Sequence, residues 1–308
     1  CALPISYFAM ARGYQGESGD VKALAMKKWF NTNYHYIVPE AEDDTKIALV
    51  GEKLWEEYEE AKALGIETKP VLTGPYTLLK LCRYTGSKTA DDFTDAVIAA
   101  YQQVLEKCAA HRIMWLQLDE PALVRDLSKE DIALFHKIYE NILPCKKTVR
   151  ILLQTYFGDV RDIYKDLTEL PFDGIGLDFI EGKETVHLIE KYGFPKDKLL
   201  FAGLVNGKNI WRNHYDRTLN QLQQLTGKGI QTVLSTSCSL LHVPYTVKHE
   251  TKLSEKYLDY FAFAEEKLSE LKELSGFAEN PSYTQESAYK KNSALFAADR
   301  DCKNAAVK

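Results

Sequence analysis

The chain has no long hydrophobic run; nothing in its 308 residues approaches the ~18 consecutive apolar residues that a membrane-spanning helix needs. It has no basic start either. Cys1-Ala-Leu-Pro-Ile-Ser6 offers no positive stretch ahead of an apolar one, which speaks against a secretory leader. Six cysteines (1, 82, 108, 145, 238 and 302) are scattered without a C-x-x-C pair. In a chain of this length they read as reduced thiols, mostly core, and not as a disulfide framework. There is no excess of positive charge: 39 Lys and Arg face 44 Asp and Glu, a net charge of −5, which argues against nucleic acid or an anionic membrane surface as partner. No G-x-G-x-x-G or G-x-x-x-x-G-K-[ST] follows any strand, so nucleotide cradling is unsupported. A cytoplasmic soluble protein is what these absences leave, with room for one large barrel or two smaller domains.

What is present is organised around Ile113-Met-Trp-Leu-Gln-Leu-Asp-Glu-Pro-Ala-Leu-Val124. Ile113 to Leu118 have the short apolar character of a buried strand. Asp119 and Glu120 stand at its end, and Pro121 cannot continue a ladder. A strand that runs through a core and ends in charge delivers polar groups to one rim of an α/β protein. The same two carboxylates could equally cap the next helix or neutralise a neighbour.

Other strands end in the same way. Thr68–Thr73 ends in Gly74-Pro75, Val149–Gln154 in Thr155-Tyr-Phe-Gly158, and Gly174–Asp178 in Phe179-Ile-Glu-Gly182. Leu199–Leu204 ends in Val205-Asn-Gly207, and Ile230–Ser235 in Thr236-Ser-Cys-Ser-Leu-Leu-His-Val-Pro244. Helical periods lie between them: from Thr45 to a stop at Gly65, about Asp91–Arg112 with Cys108 on the apolar face, and about Lys129–Asn141. Further periods fall around 160–168, 184–192 and 216–226, with a long one from about Lys248 to Leu274. Six strands alternating with helices predict a parallel sheet with right-handed crossovers. Strand ends rich in glycine and polar groups favour a (β/α)₈ TIM-type barrel over a doubly wound sheet, although a closed barrel needs eight strands. Three regions follow: an irregular aromatic and glycine-rich segment over 1–43 on the barrel rim, the barrel over 44–275, and a polar, alanine-rich tail or linker over 276–308.

Within the first region, Met26-Lys-Lys-Trp-Phe-Asn-Thr-Asn-Tyr-His-Tyr-Ile-Val-Pro39 carries more large rings than an ordinary loop needs. It either packs down as a plug or lines a site. Taken alone, Lys27 and Lys28 read as solvated lysines and His35 as a packed histidine.

Trp29–Glu40, Asp119-Glu-Pro-Ala-Leu-Val124 and Thr155-Tyr-Phe157 resemble signatures of the amino-terminal barrel of cobalamin-independent methionine synthase. So do Gly203-Leu-Val-Asn-Gly-Lys-Asn-Ile-Trp-Arg212 and Ser237-Cys-Ser-Leu-Leu-His242. These motifs are long, in the family's order, and span the chain from about Phe8 to Leu274. The resemblance implies one half of a two-barrel enzyme that transfers a methyl group from 5-methyltetrahydrofolate, carrying a polyglutamate tail, to homocysteine, giving methionine. It places zinc in the carboxy-terminal barrel, with no metal and no catalytic residue in this half. Cys238 keeps the position of a zinc cysteine of the duplicated barrel, but Leu153-Gln-Thr-Tyr156 stands where the His-x-Cys strand would be, so Cys238 reads as core. Lys28 is the residue the resemblance assigns to the anionic tail, with Asp119 and Glu120 as further substrate-binding candidates. The family's first two strands and their Arg-Glu-Leu-Lys segment are absent, and the start at Cys1 is expected to reflect a fragment.

The expected role is scaffold and tail-binding surface, inactive without a carboxy-terminal catalytic barrel as partner. A stand-alone folate-polyglutamate binding domain without catalysis is the alternative. A barrel hydrolase using Asp119 and Glu120 as an acid/base pair fits poorly, because adjacent strand residues point opposite ways.

Overall fold

The computed structural model describes residues 8–16, 20 and 22–298, so Cys1, Cys302 and the end of the tail lie outside it. The chain divides into two compact units, Cys1–Leu200 and Phe201–Lys308.

In the first unit, β1 (Met26–Lys28) pairs antiparallel with β2 (His35–Ile37), placing Lys28 opposite His35. β3 (Glu40–Ala41) pairs in parallel with β5 (Arg83–Tyr84). The main sheet is parallel: β4 (Val71–Thr73) lies beside β6 (Trp115–Asp119), β6 beside β7 (Arg150–Gln154), and β7 beside β8 (Gly174–Asp178). Register aligns Thr73 with Asp119, and Asp119 with Gln154, so the polar strand ends come out on one rim.

Burial follows composition. β8 is buried along its whole length and β7 at all but its first residue, as short apolar strands covered on both faces must be. β6 differs from its reading as a continuous apolar run. Leu116 and Leu118 are buried on one face, while Trp115, Gln117 and Asp119 stay half-exposed on the other.

The connecting helices sit close to where periodicity places them. Helix Ala90–Ala110 buries Phe93, Val97, Val104 and Cys108, and helix Lys129–Ile142 starts at Ser128, whose hydroxyl accepts from the Asp131 amide. The first helix starts later than its period suggests, at Lys53 instead of Thr45. Gly51 holds φ +79° just ahead of it, a left-handed turn that a helix running through cannot contain.

Strand β9 (Leu199–Val205) leads into the second unit, which contains helix Tyr215–Gly227, strand β10 (Thr232–Thr236) and helices Ala264–Glu279 and Ser287–Ala297. Val205, Tyr215, Leu219, Leu274 and Phe277 form its core. The long helix expected from Lys248 to Leu274 is interrupted, and its main part begins only at Ala264. The Glu266 carboxylate accepts from the Phe263 amide at 3.1 Å, from the Val247 amide at 3.2 Å and from the Thr246 hydroxyl at 2.7 Å. That carboxylate caps a new helix start and ties the preceding loop to it.

The tail is anchored more firmly than its polar composition suggests. Asn292 is buried, accepting from the Tyr215 amide at 3.1 Å and donating to the Asn213 carbonyl at 2.9 Å. Phe296 stacks on His214 at 4.2 Å between ring centres. No helix among the described residues is long and apolar enough to cross a membrane.

Candidate functional site

The rim of the first unit separates the two acidic residues that end β6. Glu120 is fully buried and its carboxylate is surrounded by donors: the Tyr76 amide at 3.0 Å, the Thr77 amide at 2.6 Å and the Tyr139 hydroxyl at 2.5 Å. Gly74 makes room for it, since a β-carbon there would lie 2.2 Å from the carboxylate. Burial raises the Glu120 carboxyl to about 7 against the pull of hydrogen bonds from Thr77, Tyr139 and Tyr76. With no surface left for a ligand, Glu120 holds the first turn of helix Pro75–Leu81 to β6.

Asp119 turns the other way. It accepts from the Gln117 amide group at 2.7 Å and the Tyr156 hydroxyl at 3.1 Å, on the half-exposed face of the strand. Burial raises its carboxyl, and hydrogen bonds from Gln117 and Tyr156 with the charge of Lys69 oppose the rise.

The aromatic segment after β1 folds onto the ends of β7 and β8. The Phe30 ring lies 6.1 Å from the Phe157 ring, Trp29 packs edge-on against both Phe30 and Tyr36, and the Asn31 amide group donates to Glu181 at 2.9 Å. Phe30 and Phe157 both hold left-handed backbone, at φ 51° and 72°, an uncommon conformation for bulky residues. At Phe157 the conformation is held from below. Asp178, buried at the end of β8, accepts from the amides of Phe157, Ile180 and Glu181 at 2.7–2.9 Å.

Lys28 stands at the edge of this aromatic layer. It is exposed, and its ammonium has no hydrogen bond or ion pair among the described residues. His35, opposite it, is exposed as well and not packed between its neighbouring tyrosines. Arg125 also belongs to the rim and escaped the sequence reading; Asn31, Tyr156 and Phe157 were marked by their motifs and Glu181 by its place at a strand end.

In the second unit, the motif Gly203–Arg212 and the segment Ser237–His242 are used for packing. A β-carbon at Gly207 would fall 2.4 Å from the Cys238 carbonyl oxygen and 3.1 Å from its sulfur. Arg212 donates to the carbonyls of Asp259 and Phe261, and Lys267, fully buried, donates to the Trp211 carbonyl at 3.1 Å. Among the described residues no three His, Cys, Asp or Glu side chains come together to hold a metal ion. Cys238 and the residues around it therefore do not fit a zinc site.

A family model described as the cobalamin-independent synthase N-terminal domain matches residues 4–229. The chain belongs to this family. As a cobalamin-independent synthase N-terminal domain it is similar to a 5-methyltetrahydropteroyltriglutamate–homocysteine methyltransferase of Campylobacter jejuni subsp. doylei, 54% identical over 94% of the chain and 38% of the relative. It is also similar to the enzyme so named in Streptococcus suis, 54% identical over 98% of the chain and 39% of the relative. The domain thus spans under two-fifths of the length of these relatives. Among solved structures, a Listeria monocytogenes protein assigned as a vitamin-B12-independent methionine synthase superposes with a TM-score of 0.55 at 17% identity, covering 77% of this chain and 72% of that one. That likeness shows a shared α/β fold.

Proposed function

We propose that this domain is the amino-terminal part of a 5-methyltetrahydropteroyltriglutamate–homocysteine methyltransferase. In this reading it supplies scaffold and the surface that holds the triglutamate tail, while a carboxy-terminal barrel carries zinc, homocysteine and the methyl transfer. The relatives' name specifies a triglutamate substrate, and the observation that carries the reading is Lys28, an ammonium with no carboxylate partner among the described residues, beside a firmly packed aromatic rim. A row of carboxylates has to meet positive charge, and an unpaired lysine meets it without first breaking an internal ion pair. Asp119, on the same rim, belongs to the substrate-facing surface in this reading, with Glu120 as the group that fixes its position. The strand–helix alternation and the polar rim support a (β/α)₈ barrel as the complete architecture.

Calorimetric titration with 5-methyltetrahydrofolate triglutamate, with the monoglutamate as control, tests the proposal. Tighter binding of the triglutamate is expected, with several-fold of that preference lost in Lys28→Ala and a steep weakening between low and high salt. Equal affinity for both ligands would refute a tail site in this chain. With zinc and homocysteine supplied, the chain alone is expected to form no methionine.

A further inference from the structure

Arg125 lies on the loop that leaves β6 after the Asp119-Glu120-Pro121 turn, and its guanidinium sits 4.8 Å from the centre of the Phe30 ring. The residue is exposed, and its guanidinium makes no hydrogen bond or ion pair among the described residues. A guanidinium stacked on a ring keeps its five N–H donors in its own plane, open at the edge to an incoming carboxylate. The ring beneath is fixed in turn by Phe157.

Phe30 follows Lys28 by two residues, and two residues of chain span at most ~7 Å, so the ring beneath Arg125 and the backbone of Lys28 are neighbours along the aromatic segment. Among the described residues no carboxylate forms an ion pair with Arg125, and Glu181 accepts from Asn31. The charge of Arg125 reaches the phenol of Tyr36 and opposes the rise that burial gives it.

We propose that Arg125 is a second tail-binding residue, taking one glutamate carboxylate in its planar fork while Lys28 takes another. The inference rests on the tail-binding reading above and deepens it: two separated cations favour a row of carboxylates over the closely spaced pair of a single glutamate. A lysine at 125 would keep the charge but lose both the stacking face and the fork.

The test is a double-mutant cycle on this chain, titrating Lys28→Ala, Arg125→Ala, Arg125→Lys and the double variant with the triglutamate and monoglutamate forms. Arg125→Ala is expected to weaken the triglutamate about fivefold, near the upper end for an exposed ion pair, and to leave the monoglutamate unchanged. Arg125→Lys is expected to recover less than half of that loss. Because Arg125 is exposed, its variants are expected to melt with the parent chain, and thermal unfolding of each checks this. If Arg125→Ala binds the triglutamate as tightly as the parent while Lys28→Ala does not, the inference falls and the tail reading stands. Equal weakening of both ligands would place Arg125 against the rest of the folate and overturn the inference too. No tail preference in the parent chain would overturn both.

Discussion

Replacing Glu120 with alanine is expected to destabilise the chain by on the order of 4 kcal/mol. The variant strands the amides of Tyr76 and Thr77 and the Tyr139 hydroxyl, all of which now donate to a carboxylate with no exposed surface. Each buried donor left without an acceptor costs about 1–3 kcal/mol, and partial collapse of the site offsets part of the sum. The sign of the pH dependence follows from the raised carboxyl. Its folded value of about 7 lies above the ordinary 4.5, so the fold favours the protonated acid. The stability this group contributes is fully present below pH 4.5 and is lost as pH rises through about 7. Denaturant unfolding at intervals from pH 4.5 to 8 should show the parent chain falling relative to Glu120→Gln, which cannot ionise. A difference between the two that does not change with pH would show that Glu120 is ionised throughout.

Gly207→Ala is expected to destabilise the second unit by roughly 3 kcal/mol. The clash is with the Cys238 carbonyl oxygen, 2.4 Å from the new β-carbon, and the two loops cannot easily slide apart. The Ser237 amide donates to the Val205 carbonyl at 2.8 Å, and the Gly207 amide to the Ser237 hydroxyl at 3.2 Å. Removing the thiol in a Gly207→Ala/Cys238→Ala double variant should not restore stability, because the obstructing atom belongs to the backbone. Restoration, seen as a return of the urea midpoint, would mean that the sulfur was the obstacle. The contact also accounts for a buried cysteine at this position without a metal: the thiol fills space over a glycine.

The six strands were legible because each is a short apolar run stopped by glycine, proline or polar residues, a local signal that tertiary packing reinforces. The helix start at Ala264 was not legible, since the Glu266 carboxylate that creates it also gathers Thr246 and Val247 from a loop far back in the chain. Pattern alone pairs Asp119 with Glu120. Only the packing of helix Pro75–Leu81 shows that one is enclosed and the other faces the rim. The aromatic segment announced itself by composition, and of the two possibilities raised for it the structure shows the packing, through Phe30 on Phe157. Arg125 carried no signal, because an arginine in a loop looks the same whether or not a ring lies beneath it, and Phe30 comes from a distant part of the chain.

Amide chemical-shift mapping of the isotope-labelled chain during titration with 5-methyltetrahydrofolate triglutamate tests the tail-binding claim most directly. Tail-dependent shifts are expected at Lys28 to Tyr36, Arg125 and Tyr156 to Phe157, all absent with the monoglutamate. Tail-dependent shifts confined to Phe201–Leu274, or none anywhere, would contradict it.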